Sequence, residues 1–247
     1  MPTILSTKNL CRSFGGVLAL KNINMAFETN QLKSIIGPNG AGKTTLINVI
    51  TGFIPATSGE VLYQTVDITN KPPHELVEMG ICRTFQITSI FPNLSAFENV
   101  RIAKQLQRGG SSKILSSKNG LKQVNEETWT ILEDLGLCEK AHLLAGNLSH
   151  GDQRLLEVAI ALAGQAKILF LDEPTAGMSS GETQYISTLI RRLTDRVSVV
   201  MVEHDMDIVM NISDKITVLN QGEIIAEGTP EEIQFNVKVR EAYLGKE

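Results

Sequence analysis

The chain has 247 residues, 42% hydrophobic and 20% charged, with 23 basic against 27 acidic side chains and a formal net charge of -4. That is enough chain for one large domain or two intimate subdomains whose core needs no disulfides, and the acidic balance gives no support to a nucleic-acid-binding surface. Cys11, Cys82 and Cys138 lack metal-ligand spacing and read as reduced, mostly buried thiols of a cytosolic protein. No run approaches the roughly 18 continuous apolar residues of a membrane span, and the N-terminus lacks a basic-then-apolar signal, so any membrane role has to pass through a partner.

The first elements predicted are a β meander, from Ile4 to Leu10 and then the alternating Ile23, Met25 and Phe27, turning at Gly15 and Gly16. Phe14 sits at its tip, either to stack on adenine or to pack the hairpin. Leu32 to Ile36 reads as a short apolar strand and Thr45 to Ile50 as a helix. Between them Gly37, Pro38, Asn39, Gly40, Ala41, Gly42, Lys43 and Thr44 fit the Walker A pattern G-x-x-x-x-G-K-[ST]. Glycines there let successive backbone N–H groups face a phosphate, and the helix opening near Lys43 adds its positive end. In that reading Lys43 reaches the β and γ phosphates and the Thr44 hydroxyl holds Mg²⁺; the alternative is a glycine turn ahead of a buried helix.

Thr57, Ser58 and Gly59 turn into a strand from Glu60 to Tyr63, Pro72 and Pro73 introduce a helix from His74 to Met79, and Ile81 to Phe85 runs as a strand into Gln86. Residues 87–165 then carry mainly helical periodicity, which reads as a helical insertion within an α/β core. Ser95 and Glu98 form a capping-box signal before Val100 to Leu106, while Val124, Ile131, Leu132 and Leu135 share one face. Gly109 to Ser112 and Ser116 to Gly120 read as a mobile surface loop, and Trp129 as core packing. At the next helix start, Ser149 and Asp152 suit a capping box, or Ser149, Gly151 and the helix end form an anion-binding surface.

Ile168 to Leu171 is an apolar strand ending in Asp172 and Glu173; Ser198 to Val202 is another, ending in Glu203, His204 and Asp205. Such strands separated by helices predict a parallel sheet covered on both faces, with ligands at its carboxyl edge. There Asp172 suits Mg²⁺ and Glu173 suits orienting and deprotonating a water. Two acids could also merely end a strand and cap the next segment, but Pro174 and Thr175 turn the chain at once and leave both carboxylates at the edge. A hairpin from Lys215 to Glu227 turns at Asn220, Gln221 and Gly222, and Thr229, Pro230 and Glu232 open a C-terminal helix.

The order and spacing of the phosphate loop, Gln86, Leu148 to Gln153, Asp172 with Glu173, and His204 resemble the ATP-binding-cassette ATPases over essentially the whole chain. The resemblance implies an α/β fold: a P-loop NTPase (RecA-like) core with a mainly parallel sheet, an N-terminal antiparallel β subdomain and an inserted α-helical subdomain. Residues 1–86 and 166–247 would form the core and 87–165 the insertion. ATP with Mg²⁺ would lie between the phosphate loop of one cassette, with Thr45 and Phe14 beside it, and the signature segment of a second. Ser149 and Gly151 would contact the γ-phosphate across that dimer. Gln86 would sense Mg²⁺ and the attacking water, with Thr44 and Asp172 as the other metal-binding residues, and His204 would contact the γ-phosphate and position the water beside Glu173.

Three positions depart from the family pattern: His150 and Asp152 replace the commoner glycine and glutamine, and Ser179 stands where aspartate is frequent. Arg83 to Gln86, Phe91 to Leu94, Ala176 to Met178 and Tyr243 to Gly245 are similar to importer cassettes for branched-chain amino acids and for urea or short amides. That implies an ATP-hydrolysing subunit, peripheral on the cytoplasmic face of the cell membrane and bound to a permease. It would pair with a copy of itself or a similar cassette, be served indirectly by a periplasmic binding protein, and have no nucleic-acid partner. Cassettes of the same size also serve assembly systems, such as iron–sulfur scaffolds, and lipopolysaccharide-type export.

Overall fold

The structure, a computed structural model, describes residues 2–84, 90–108 and 118–244. Two long antiparallel strands open it, β1 (Thr3–Phe14) and β2 (Val17–Glu28). They outrun the predicted meander because register shifts near Asn9 and Asn22, which have positive φ values of 47° and 49°, let the ladder continue to Phe14 opposite Val17. β3 (Leu32–Ile36) leads through the glycine loop into α1 (Lys43–Ile50). β4 (Ser58–Tyr63) and β5 (Val66–Asp67) then complete an antiparallel sheet ordered β2-β1-β4-β5.

After α2 (Pro73–Glu78), β6 (Ile81–Arg83) joins the second sheet. Three helices come next and pack on one another: α3 (Ala96–Gln107), α4 (Lys118–Asp134) and α5 (His150–Ala163). The chain returns through β7 (Ile168–Asp172), α6 (Ser180–Leu193), β8 (Ser198–Val202), α7 (Met206–Ile212), β9 (Lys215–Asn220), β10 (Glu223–Gly228), α8 (Pro230–Gln234) and α9 (Val237–Leu244). The central sheet is ordered β10-β9-β3-β8-β7-β6. All its pairings are parallel except the β9–β10 hairpin.

An all-apolar strand needs cover on both faces, and alternate residues of β7 and β8 supply two cores. Leu169, Leu171, Val199 and Met201 pack with the helices α3 to α8, while Ile168, Phe170, Val200 and Val202 pack with β1, β2 and α1. Phe27 meets Phe170 edge-on at 6.0 Å, joining the antiparallel sheet to the central one. Among the described residues no helix is long and apolar enough to cross a membrane.

Several expectations need correction. Asn119 and Gly120 lie in α4 rather than in a loop; residues 109–117 fall outside the described residues, as do Phe85 and Gln86. Trp129 is 37% exposed rather than core, since the buried stripe of α4 runs through Val124, Thr128 and Leu132 and places its neighbour off that face. It packs instead against Phe97 and His142 at ring distances of 5.1 and 5.7 Å. The C-terminal helix is two helices, with Asn236 between them accepting the Val239 N–H at 3.3 Å.

β3 is not wholly apolar. The Lys33 side chain in its middle is only 2% exposed, and its ammonium donates to Glu227 and to the Ala26 carbonyl, each at 2.7 Å. Burial lowers its pKa while Glu227 works against that shift. The pair ties β3 to both β2 and β10, and a buried charge with good partners is tolerated where an unpaired one is not.

All three cysteines are free, but only Cys82 is buried; Cys11 and Cys138 are half-buried. Burial pushes the Cys82 thiol up to about 11. At pH 8 it is therefore expected to stay unlabelled by iodoacetamide while a thiol in unfolded protein labels fully, because the thiolate is the nucleophile. Mass-spectrometric mapping of the alkylated sites checks this, and labelling of native Cys82 at the unfolded rate would contradict it.

Candidate active site

The loop between β3 and α1 is held by close backbone contacts. A Cβ at Gly37 would lie 2.1 Å from the Leu219 carbonyl oxygen, so only glycine fits, whereas Gly40 needs its left-handed φ of 78° and faces open space. The Ala41 N–H donates to the Pro38 carbonyl at 3.1 Å, and the Gly222 N–H donates to the Ala41 carbonyl at 3.0 Å. The turn between β9 and β10 thus braces the loop from behind. Asn39, Gly40 and Thr44 are exposed at its front, with Thr45 half-buried.

Lys43 is the first residue of α1, and its ammonium donates to the Gly37 and Pro38 carbonyls at 2.6 and 3.1 Å. Burial presses its pKa downward, and the nearby charges of Glu173 and Asp172 oppose that shift. The Lys43 ammonium and the N-terminus of α1 therefore both adjoin the glycine loop, an arrangement that favours a polyphosphate.

Asp172 closes β7 and is 1% exposed. Its Oδ2 accepts from Arg83 at 2.8 Å, and no donor among the described residues reaches Oδ1. Glu173 comes next with a left-handed φ of 49°, which costs a non-glycine residue about 1–2 kcal/mol and swings the chain out of the strand. Its N–H donates to the Val202 carbonyl at 2.9 Å, tying the bend to the end of β8. Glu203, 1% exposed, accepts from the Thr175 N–H and hydroxyl and from the His204 N–H, so the turn after Glu173 and the start of the His204 segment are clamped together. His204 itself is exposed, with Nδ1 3.8 Å from Glu173 Oε1.

Lys43, Asp172, Glu173 and His204 thus gather at the carboxyl edge of β3, β7 and β8, where open α/β sheets bind ligands. The Thr44 hydroxyl and Asp172 carboxylate are hard oxygen donors of the type Mg²⁺ takes alongside substrate phosphates. Two protein oxygens suffice for such a metal, and an Oδ1 left open beside a fixed Oδ2 fits it.

Phe14 is 44% exposed at the β1–β2 tip, with the Arg12 guanidinium 4.4 Å from its ring centroid. Ser149 is the exposed N-cap of α5; its hydroxyl donates to Asp152 Oδ2 at 2.6 Å and accepts the Asp152 N–H at 3.2 Å. Because Lys140 holds both oxygens of Asp152 at 2.7 Å, the reciprocal half of the capping box is replaced by an ion pair. Gly151 is buried beside Met178 and Ile186 rather than presented at the surface. No interaction among the described residues joins Ser149 or Gly151 to the glycine loop of the same chain. Gln86 lies outside the described residues.

Ser179 caps α6 in a full capping box with Glu182, a role that serine and aspartate share at an N-cap. Neither motif nor periodicity points to Asn48 or Glu203 as parts of this site, and Arg83, though within the stretch that resembles importer cassettes, takes no role in it from that resemblance. The one local signal is that Glu203 is a carboxylate directly after an apolar strand.

The family described as ABC transporter matches residues 20–176. The chain belongs to this family of ATP-binding cassettes, and it is an ATPase. A second family, described as branched-chain amino acid ATP-binding cassette transporter, matches residues 223–247 of the cassette. The cassette is 41% identical over 250 residues to the high-affinity branched-chain amino acid transport ATP-binding protein LivG of Escherichia coli, covering 98% of each chain. Among solved structures it resembles the ADP conformation of an ATP-binding cassette of an ABC transporter, with a TM-score of 0.85, 34% identity and full coverage of both chains. It also resembles a dimeric cassette in a post-hydrolysis state bound to ADP and Pi, with a TM-score of 0.76, 28% identity and coverage of 92% of this chain and 98% of that one.

Proposed function

We propose that the cassette energises uptake of branched-chain amino acids by hydrolysing ATP on the cytoplasmic face of a membrane, coupled to a permease and to a second cassette. The reading is supported by the gathering of Lys43, Asp172, Glu173 and His204 at one sheet edge, in a chain resembling branched-chain amino acid transport ATP-binding proteins along its whole length. In this reading residues 1–86 and 166–247 form the catalytic core and residues 87–165 the helical subdomain.

Lys43 and the N–H groups of Asn39, Gly40, Gly42, Lys43 and Thr44 bind the phosphates, Thr45 flanks them, and Phe14 offers its exposed ring to the adenine. Thr44, Asp172 and Gln86 would hold Mg²⁺, which when bound neutralises charge on the phosphate oxygens. Glu173 accepts the proton of the attacking water, and His204, 3.8 Å from it, orients that water. Preorganised charge of this kind supplies most of the acceleration in phosphoryl transfer.

Ser149 is exposed and has no tie to its own loop, so it serves the site of a second cassette, with Gly151 behind it shaping the start of α5. On the side of β6, α3 and α5 lies an open cleft of about 910 Å³ lined by Val77, Met79, Cys82, Leu106 and Ile160. Its wall includes Thr84, two residues before Gln86, and it is here that a cytoplasmic segment of the permease docks. The periplasmic binding protein acts on the permease and not on this chain.

Co-expression with permease subunits and reconstitution into vesicles tests the reading. The complex is expected to co-purify in detergent and to couple ATP hydrolysis to leucine uptake. A cassette that purifies instead with soluble assembly proteins and leaves the permease behind would contradict it and favour the assembly role.

A further inference from the structure

We propose that Arg83 is a positioning residue that fixes the metal-binding carboxylate of Asp172 and ties it to the strand entering the Gln86 segment; the proposal rests on the ATPase reading above. Arg83 ends β6, and one of its terminal nitrogens donates to Asp172 Oδ2 at 2.8 Å while the other donates to Asn48 on α1. The Phe53 ring lies 5.8 Å from the guanidinium. One planar cation therefore spans the helix that begins with Lys43, the strand that ends in Asp172, and the strand that leads to Gln86. Both side chains of the ion pair are nearly fully buried, 8% and 2% exposed.

This geometry needs arginine. Two donors at a fixed angle hold two acceptors at once, which the single ammonium of lysine on a flexible stem does not reproduce. The hold on Oδ2 selects one carboxylate orientation and, among the described residues, leaves Oδ1 without a donor, as an outer-sphere partner does for a metal ligand. β6 is also the three-residue edge strand of the sheet, and Arg83 lines the cleft assigned to the permease. A displacement of β6 by an occupant of that cleft passes through Arg83 to the carboxylate.

The test is a Mg²⁺ titration of a fluorescent ATP analogue bound to purified protein, read as binding rather than turnover. Arg83→Gln is expected to raise the Mg²⁺ half-point about tenfold or more while metal-free nucleotide affinity stays unchanged, and Arg83→Lys should fall between. In Asp172→Asn protein the added Arg83→Gln change should have no further effect on the half-point. An unaltered half-point in Arg83→Gln, or an equal loss of affinity with and without Mg²⁺, would overturn the proposal. If Arg83→Gln does not fold, Asn48→Ala removes the second holder without stranding a charge. A raised half-point there supports the role and an unaltered one overturns it. Wild-type protein that binds no nucleotide under either condition would overturn the ATPase reading along with it.

Discussion

Glu173→Gln is expected to slow ATP hydrolysis about 10²- to 10⁴-fold, the usual contribution of a general base and equivalent to roughly 3–5.5 kcal/mol of barrier. The substitution keeps size and hydrogen-bonding reach while removing the negative charge and the ability to take a proton. Glutamine meets the same left-handed backbone demand at φ 49° as glutamate does, so the bend anchored on Val202 is unaffected. Nucleotide affinity should therefore not fall below that of the wild type, because Glu173 donates no hydrogen bond to the phosphates and loss of its negative charge does not weaken an anion site. Phosphate release by the assembled complex is the measurement, and a variant that turns over ATP at the normal rate would remove Glu173 from the mechanism.

Lys43→Ala is expected to act on binding instead. The lysine donates to two loop carbonyls, at 2.6 and 3.1 Å, and a phosphate would compete for the same ammonium. A hydrogen bond to a charged group contributes about 1.5–3 kcal/mol, so nucleotide affinity should fall about 10- to 100-fold. The loop itself should survive, since Ala41 remains anchored to Gly222 and Gly37 remains packed on Leu219. Because burial depresses the Lys43 pKa against the pull of Glu173 and Asp172, the charged form is lost earlier on raising pH than for an exposed lysine. Wild-type affinity should thus weaken on the alkaline side, and the variant should lack that limb in a fluorescent-nucleotide titration. Equal affinities for the two proteins would refute the role.

What the sequence reveals and what it hides divide along chain distance. The glycine loop, the paired acids after an apolar run, and the caps at Ser95 and Thr229 are local patterns, and each forms where the residue types demand it. The link between Arg83 and Asp172 spans 89 positions and the link between Lys33 and Glu227 spans 194, so nothing in either neighbourhood announces the other. Lys33 is especially opaque because a lysine between apolar neighbours in a strand ordinarily faces water. Trp129 shows the opposite limit. Its apolar character suggests the core, but one residue's rotation around α4 separates it from the stripe that ends in Leu132. The split before α9 depends on a single asparagine cap at Asn236, which a continuous helical pattern overrides on paper.

The central claim is that each ATP is closed in by two cassettes, one giving its glycine loop and the other its Ser149 helix end. Cysteine crosslinking between Asn39→Cys on one cassette and Ser149→Cys on its mate tests this directly, in the assembled transporter with Glu173→Gln and with Cys11, Cys82 and Cys138 replaced by serine. Both chosen positions are exposed. A crosslinked pair that forms with ATP and Mg²⁺ and disappears with ADP is the predicted result; a crosslink that never forms, or that forms equally without nucleotide, would contradict the account.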